Sequence, residues 1–167
     1  FFGVFNRLSK TESRIRILQQ MKKYFEIDSS VPSHFNGIPT LNPQKSWFFG
    51  FAHDRAIGDI EKLWDLFDAA LDSNWSYGSS SSINNPKLQK AFDRALEVKY
   101  TNINATMGLF WIRPNQFISL DLQMRKNLEI KLPSKGISFE FYRDEIAKAK
   151  RLNKSFPEIS YASWMKR

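Results

Sequence analysis

The sequence predicts an α+β fold, in which a single, mainly helical domain of about six helices packs around a small β-sheet. The helical part is predicted from apolar residues at helical spacing, most clearly over residues 57–71. The stripe there consists of Ile60, Leu63, Trp64, Phe67, Ala70 and Leu71. The sheet is predicted from short strand-favouring runs within residues 36–51, 107–120 and 128–132.

The first predicted helix follows Ser9 and Glu12, whose spacing of three residues is that of a capping box. Apolar residues then recur at helical spacing, and basic residues lie off that stripe. The apolar set is Ile15, Leu18, Met21 and Phe25, and the basic set is Arg14, Arg16, Lys22 and Lys23. The sequence therefore predicts an amphipathic helix with a basic back.

The region from 28 to 84 combines irregular segments with one aromatic run. Residues 45–51 hold four aromatic residues and are interpreted as a core strand, although Trp47 near a lysine is also compatible with stacking on nucleic-acid bases. Residues 73–84 contain four consecutive serines and are predicted to form a mobile loop. Trp75 and Tyr77 in that loop either pack back on the domain or contact a partner.

The second half of the chain is organised around residues 108–121, its densest apolar window. The run 109–112 is typical of a strand buried on both faces or of one turn of a buried helix. Pro114 is predicted to end that run. Ser119 or Asp121 can cap a helix that continues through Arg125.

Three further helix starts are predicted from capping residues. Asn85 is expected to cap a helix with Pro86 at its first position. Ser138 is expected to start another helix. Ser155 and Glu158 have the spacing of a second capping box, which predicts a C-terminal helix.

Charge is distributed unevenly along the chain, whose 25 basic and 17 acidic side chains give a formal net charge of +8. The net charge is +4 over residues 1–27, −2 over 28–112, +3 over 113–135 and +3 over 136–167. Nucleic acid is the commonest reason for a basic face on a domain. The alternative is a solvated, lysine-rich surface with no partner.

Several classes of site are not supported by the sequence. The chain has no cysteine, which excludes a disulfide framework and cysteine metal sites, and its two histidines, His34 and His53, lack the spacing of a metal site. It has no phosphate-binding glycine loop and no Ser-His-Asp or Cys-His set. No apolar run reaches the roughly 18 residues that a membrane span needs. We therefore expect no catalytic site, no cofactor, no metal and no membrane partner.

Four segments together are similar to a known family: residues 35–42, 46–49, 60–71 and 107–121, of which the last is Met-Gly-Leu-Phe-Trp-Ile-Arg-Pro-Asn-Gln-Phe-Ile-Ser-Leu-Asp. They resemble the region upstream of the motor domain in bacterial McrB-type AAA+ GTPases of modification-dependent restriction systems. The resemblance implies a longer, cytoplasmic parent chain that acts in antiviral defence. Such a parent binds DNA through N-terminal modules, hydrolyses GTP through a hexameric motor and recruits a separate nuclease.

We therefore predict that this segment is a DNA-binding, target-recognition module of such a protein. Its expected partners are double-stranded DNA, the motor of the same chain and the nuclease subunit, and the segment itself is expected to be monomeric. Phosphate contacts are expected from Arg14, Lys22, Lys23, Arg113, Arg125 and Lys126. If a modified base leaves the stack, the candidates to stack on it are Trp47, Trp75, Tyr77 and Trp111.

The main alternative is a non-catalytic linker or assembly module, which joins a DNA reader to the motor or to neighbouring subunits. A DNA reader is expected to group its basic side chains on one concave face with an exposed aromatic. An assembly module is expected to scatter its charges and to expose an apolar patch of several hundred Å². A third hypothesis, a base glycosylase, has only Asp121 beside an apolar run to support it.

Overall fold

The computed structural model describes residues 11–36, 50–72 and 85–166, and the fold is built there from helices alone. These residues form seven α-helices and one 3₁₀ turn, Ala52–Asp54. In chain order the helices are α1 Thr11–Tyr24, α2 Asp59–Leu71, α3 Pro86–Leu96, α4 Asn104–Ile112, α5 Leu122–Asn127, α6 Phe139–Lys150 and α7 Phe156–Met165. The predicted loop at 73–84 lies outside the described residues, as does most of the predicted strand at 36–51.

One cluster of buried apolar side chains connects α2 to α7. Helices α2 and α3 pack most extensively, α4 packs on both of them, α6 packs on α3, and α5 packs on α7. At the centre, Tyr142 of α6 stacks on Phe92 of α3 and on Phe117, with ring centroids 5.3 and 6.4 Å apart. All three rings are buried.

The predicted helix starts at Asn85 and Asp121 are confirmed, because each residue caps its helix with a side-chain oxygen. Asn85 Oδ1 accepts the backbone N–H groups of residues 87 and 88 at 2.9 and 3.2 Å, and Pro86 takes the first position of α3. Asp121 Oδ1 accepts those of residues 123 and 124 at 2.8 and 3.1 Å. Such caps satisfy donors that the first turn of a helix leaves unpaired.

The two C-terminal starts are confirmed as well. Ser138 Oγ accepts the N–H of Phe141 at 3.2 Å and begins α6. Ser155 and Glu158 form the reciprocal capping box of α7. These starts could be predicted because the residues that form a cap are neighbours in sequence.

The predicted β-sheet is wrong for every part of it that the structure describes, since those residues contain no strand. A strand was expected within residues 107–120, but residues 107–112 belong to α4. The buried residues of α4 are Ala105, Thr106, Met107, Leu109 and Phe110. A helix that is apolar on nearly all sides shows no helical period in its sequence, so its pattern matches that of a buried strand.

Residues 117–120 are completely buried but irregular, and side chains satisfy three of their backbone groups. The N–H of Leu120 donates to Thr106 Oγ1 at 2.9 Å, and the Tyr142 hydroxyl donates to the Ile118 carbonyl at 2.7 Å. Arg125 Nε donates to the Leu120 carbonyl at 3.0 Å. Buried backbone groups need such partners, and for these three groups side chains supply them instead of a neighbouring strand.

The third predicted strand, residues 128–132, is a turn followed by irregular chain. Glu129 has a φ of 55°, and the N–H of Ile130 donates back to the Arg125 carbonyl at 2.9 Å. Ile130 is buried while Leu128 and Leu132 pack partly against the core, so the apolar residues of the run do face inwards. They do so without forming the backbone hydrogen bonds of a β-sheet. In the described part of the chain, no helix is both long and apolar enough to cross a membrane.

Candidate interaction surfaces

The three predicted phosphate-binding residues of α1 have different surroundings. The Arg14 guanidinium lies 5.6 Å from the centroid of the Phe35 ring, which is a cation–π distance. Lys22 Nζ donates to two backbone carbonyls just beyond the helix, at 3.0 and 2.9 Å. Lys23 is exposed. Of the three, Lys23 is therefore the most accessible to an external anion.

Two predicted phosphate-binding arginines satisfy backbone carbonyls of this chain. An Nη2–H of Arg113 donates to the carbonyl of Leu71, the last residue of α2, at 2.6 Å. Arg125 donates to Leu120, as described above. Both arginines are only partly exposed. Arg113 connects the end of α2 to the chain after α4, whereas Arg125 binds the segment just before its own helix. The sequence analysis did not assign these acceptors.

Lys126, the sixth predicted phosphate-binding residue, borders a cavity of about 520 Å³ between α5 and α7. We call it the α5–α7 cavity; its lining residues are Gln123, Lys126, Asn127, Glu129, Ser163 and Lys166. Asn127 bridges its wall, because its Nδ2–H donates to Ser163 Oγ at 2.9 Å and its Oδ1 accepts from Lys166 Nζ at 2.6 Å. Two lysines against one carboxylate make this cavity a candidate contact for an anionic group.

The aromatic candidates are less informative. Trp47, Trp75 and Tyr77 lie outside the described residues. Trp111 is partly buried at the end of α4 and packs against the core cluster. The structure thus gives Trp111 a packing role.

Sequence reasoning missed a second apolar face on α2. The prediction assigned one buried stripe to this helix, but its buried apolar residues are only Leu66, Ala69 and Ala70. Trp64 is 60% exposed and Leu71 43% exposed, and Ile57, just before the helix, is fully exposed. A spacing signal was present: Trp64 and Leu71 lie seven residues apart on α2, as do the partly buried Ile60 and Phe67, whereas Ile57 lies in the turn before the helix. We call these five residues the α2 apolar face.

Acidic side chains border the α2 apolar face. Glu61 and Asp68 are exposed and lie three before and four after Trp64, which places them beside it on the helix. Among the described residues, neither carboxylate forms an ion pair. A partner that covers this face would therefore meet unpaired negative charge next to the tryptophan.

Two other carboxylates, one on α2 and one just after α3, form ion pairs within the domain. Asp65 accepts from Arg94 at 2.7 Å, and Glu97 accepts from Lys62 at 2.8 Å. The hydrogen bond from Lys62 lowers the pKa of the Glu97 carboxyl below its ordinary value. These pairs cross between α2 and the region of α3, so they support the packing of the two helices.

The end of α1 is a second exposed apolar surface. Tyr24 is 82% exposed, Phe25 60% and Ile27 44%, and the rings of the first two meet edge to face at 4.9 Å. No residue of α1 is buried. Arg16 and Lys23 are exposed and seven residues apart, which places them on the same side of α1.

The described residues form no candidate metal site. They contain no group of three or more histidine, aspartate or glutamate side chains that could hold a metal ion. The carboxylate of Asp121, the one support for a glycosylase, accepts two backbone N–H groups and the Ser119 hydroxyl, the latter at 2.7 Å. Its observed contacts are those of a helix cap.

Comparison with known proteins places the chain in a protein family. The family described as "Domain of unknown function (DUF8425)" matches residues 1–166. Neither a curated protein nor a solved structure matches the chain. The relationship to McrB-type GTPases therefore stays a prediction from the sequence.

Proposed function

The chain belongs to the DUF8425 family, and we propose that it is a non-catalytic assembly module that docks a helix of a protein partner on the α2 apolar face. One observation carries this proposal: Trp64 and Leu71 are exposed seven residues apart on one side of α2, and Ile57 is fully exposed in the turn before the helix. Apolar residues at that spacing are what one helix presents to another when the two pack lengthwise.

The size of the face supports the same function. A tryptophan and two aliphatic side chains at these exposures present an apolar area on the order of 400 Å². That is within the range of the largest apolar patches on monomeric proteins, which are often binding sites. An exposed tryptophan at the centre of such a patch is also the residue type that most often dominates binding energy.

The acidic residues that border the α2 apolar face indicate the charge of the partner helix. Glu61 and Asp68 favour a helix whose apolar stripe is flanked by lysine or arginine. If the resemblance to McrB-type proteins is correct, the module would join a DNA reader to the motor or to a neighbouring subunit in the cytoplasm. The catalytic steps would then belong to other parts of the assembly.

A peptide titration tests this proposal. The probe is a fluorescein-labelled basic amphipathic peptide with leucine at heptad spacing and flanking lysines; the control peptide has the same composition without the stripe. We expect anisotropy to show binding of the first peptide only, and Trp64→Asp to weaken it at least about tenfold. Gln89→Asp, which adds the same charge at an exposed position of α3, should leave it unchanged. Equal binding of both peptides would refute the proposal, as would unchanged binding by Trp64→Asp.

A second candidate function is contact with the DNA backbone through the α5–α7 cavity. It is favoured by the position of Lys126 and Lys166, which border the same cavity. Two lysine ammonium groups can pair with adjacent phosphates, and such contacts are independent of sequence. Glu129 in the lining opposes this role.

Anisotropy on matched duplexes tests the second candidate. The duplexes are unmodified or carry methylcytosine, hydroxymethylcytosine or methyladenine, and each is titrated at two salt concentrations. Contact through the cavity predicts binding that falls with salt and a larger loss for Lys126→Glu than for Lys135→Glu, an exposed lysine outside the cavity. An equal loss for the two variants would mean that net charge alone drives binding.

A further inference from the structure

We infer that the helix received by the α2 apolar face is α1 of a second copy of this chain, so that copies associate head to tail. The inference rests on the proposed docking function of that face and names its partner. It differs from the sequence-based expectation of a monomer. Three properties of α1 support it: its exposed apolar end, its charge and the spacing of its free cations.

The exposed end of α1 offers the side chains that such a face would bind. Tyr24 and Phe25 form an exposed aromatic pair, and Ile27 follows them. Aromatic side chains at this exposure are unusual on a surface with no partner, because covering them stabilises an interface. Exposed large apolar side chains also form the α2 apolar face, and Tyr161 and Met165 of α7 form a further exposed pair.

The charges that border the two surfaces are complementary. Helix α1 carries four basic residues and a single acidic one, Glu12. Its exposed cations Arg16 and Lys23 are seven residues apart, and so are the exposed carboxylates Glu61 and Asp68 of α2. Seven residues of α-helix span about 10 Å. Two helices packed side by side can therefore form both ion pairs at once.

The two surfaces do not cover each other within one molecule. Tyr24 and Trp64 are both exposed in the folded chain, so a contact between them requires two copies. A symmetric contact between two α2 faces would bring acidic borders together, which is unfavourable. The favoured contact is therefore between different surfaces of the two copies, and such contacts propagate into a ring or an open chain.

The association is expected to be weak. The patches are small compared with those of stable complexes, which bury about 800 Å² on each partner. Exposed ion pairs add at most about fivefold each to the affinity. Copies should therefore be monomeric at low micromolar concentration and associate as the concentration approaches roughly 100 µM.

Sedimentation velocity over a concentration series tests the inference, with two charge-reversed variants. The first carries Glu61→Lys with Asp68→Lys on α2, and the second carries Arg16→Glu with Lys23→Glu on α1. All four positions are exposed, so both variants should fold, which circular dichroism checks. Each variant alone should associate at least about tenfold more weakly than the native chain. An equimolar mixture should regain association, because each α1 then meets an α2 of opposite charge.

The outcomes separate this inference from the proposed function. Association that neither reversal weakens, or a mixture that stays monomeric, would overturn the head-to-tail contact. A native chain that stays monomeric yet binds the designed peptide through Trp64 would also overturn it, and would leave the docking function in place. Loss of association in both reversed variants with recovery in the mixture supports the inference.

Discussion

Replacing Arg113 by methionine should destabilise the fold and leave DNA binding unchanged, although this residue was predicted to contact phosphate. Its side chain donates to the Leu71 carbonyl at 2.6 Å, at the C-terminal end of α2. A hydrogen bond from a charged donor contributes about 1.5 kcal/mol at a partly exposed site, and a cation at a helix C-terminus adds about 0.5 kcal/mol. Methionine keeps much of the apolar stem, so the expected loss is about 2 kcal/mol.

Urea unfolding followed by circular dichroism measures this loss directly. For a chain of 167 residues, about 2 kcal/mol corresponds to a fall of roughly 4–8 °C in Tm. The matched control is Lys126→Met, which removes an exposed cation and should change stability by less than about 0.5 kcal/mol. If Arg113→Met kept full stability and weakened DNA binding more than Lys126→Met, the structural role given to Arg113 would be wrong.

Three further predictions follow from buried or capping groups. Asp121→Ala should lower the unfolding free energy by about 1–2 kcal/mol in urea titrations, whereas Asp121→Asn should keep most of it, because asparagine also caps helices well. Burial raises the pKa of Tyr142 well above its ordinary value of 10.0, so its contribution is present below pH 10 and is lost as pH rises above it. Tyr142→Phe should therefore cost about 1–3 kcal/mol at neutral pH, by leaving the Ile118 carbonyl without its donor, and should make unfolding less sensitive to alkaline pH. Hydrogen bonds from Ser155 lower the pKa of Glu158. The capping box therefore stabilises α7 fully above the ordinary carboxyl pKa, and this stabilisation disappears as pH falls through the lowered pKa. Glu158→Gln should make the Tm depend less on pH on the acid side, which thermal unfolding at a series of pH values measures.

Helix starts could be predicted from the sequence, and the sheet could not be excluded from it. A cap such as that of Asn85 is formed within three residues, so its signal is local. Whether residues 117–120 form a strand depends on side chains far away in sequence. Thr106 and Tyr142 lie 14 and 24 residues from the backbone groups to which they are hydrogen-bonded. A run of apolar residues does not reveal whether its backbone will be satisfied by a strand or by such side chains.

In the candidate sites too, contacts between residues distant in sequence could not be predicted. The hydrogen-bond acceptor of Arg113 could not be identified from the sequence, because it lies 42 residues away. The exposure of Trp64 depends on which side of α2 receives α3 and α4. The spacing of Trp64 and Leu71 was readable in the sequence, but both residues were interpreted together with the core positions as one stripe. A helix with apolar residues on two sides produces both patterns at once.

The net charge of +8 is weaker support for DNA binding than it first suggests. Arg113 and Arg125 satisfy internal carbonyls, and Lys22 closes the turn after α1. Salt would weaken DNA binding and also weaken a head-to-tail contact, so sensitivity to salt does not separate the two functions. Trp64→Asp does separate them, since it adds negative charge on α2 without touching Lys126. If this variant abolishes self-association at a concentration where duplex binding persists, the two functions use different surfaces of the same domain.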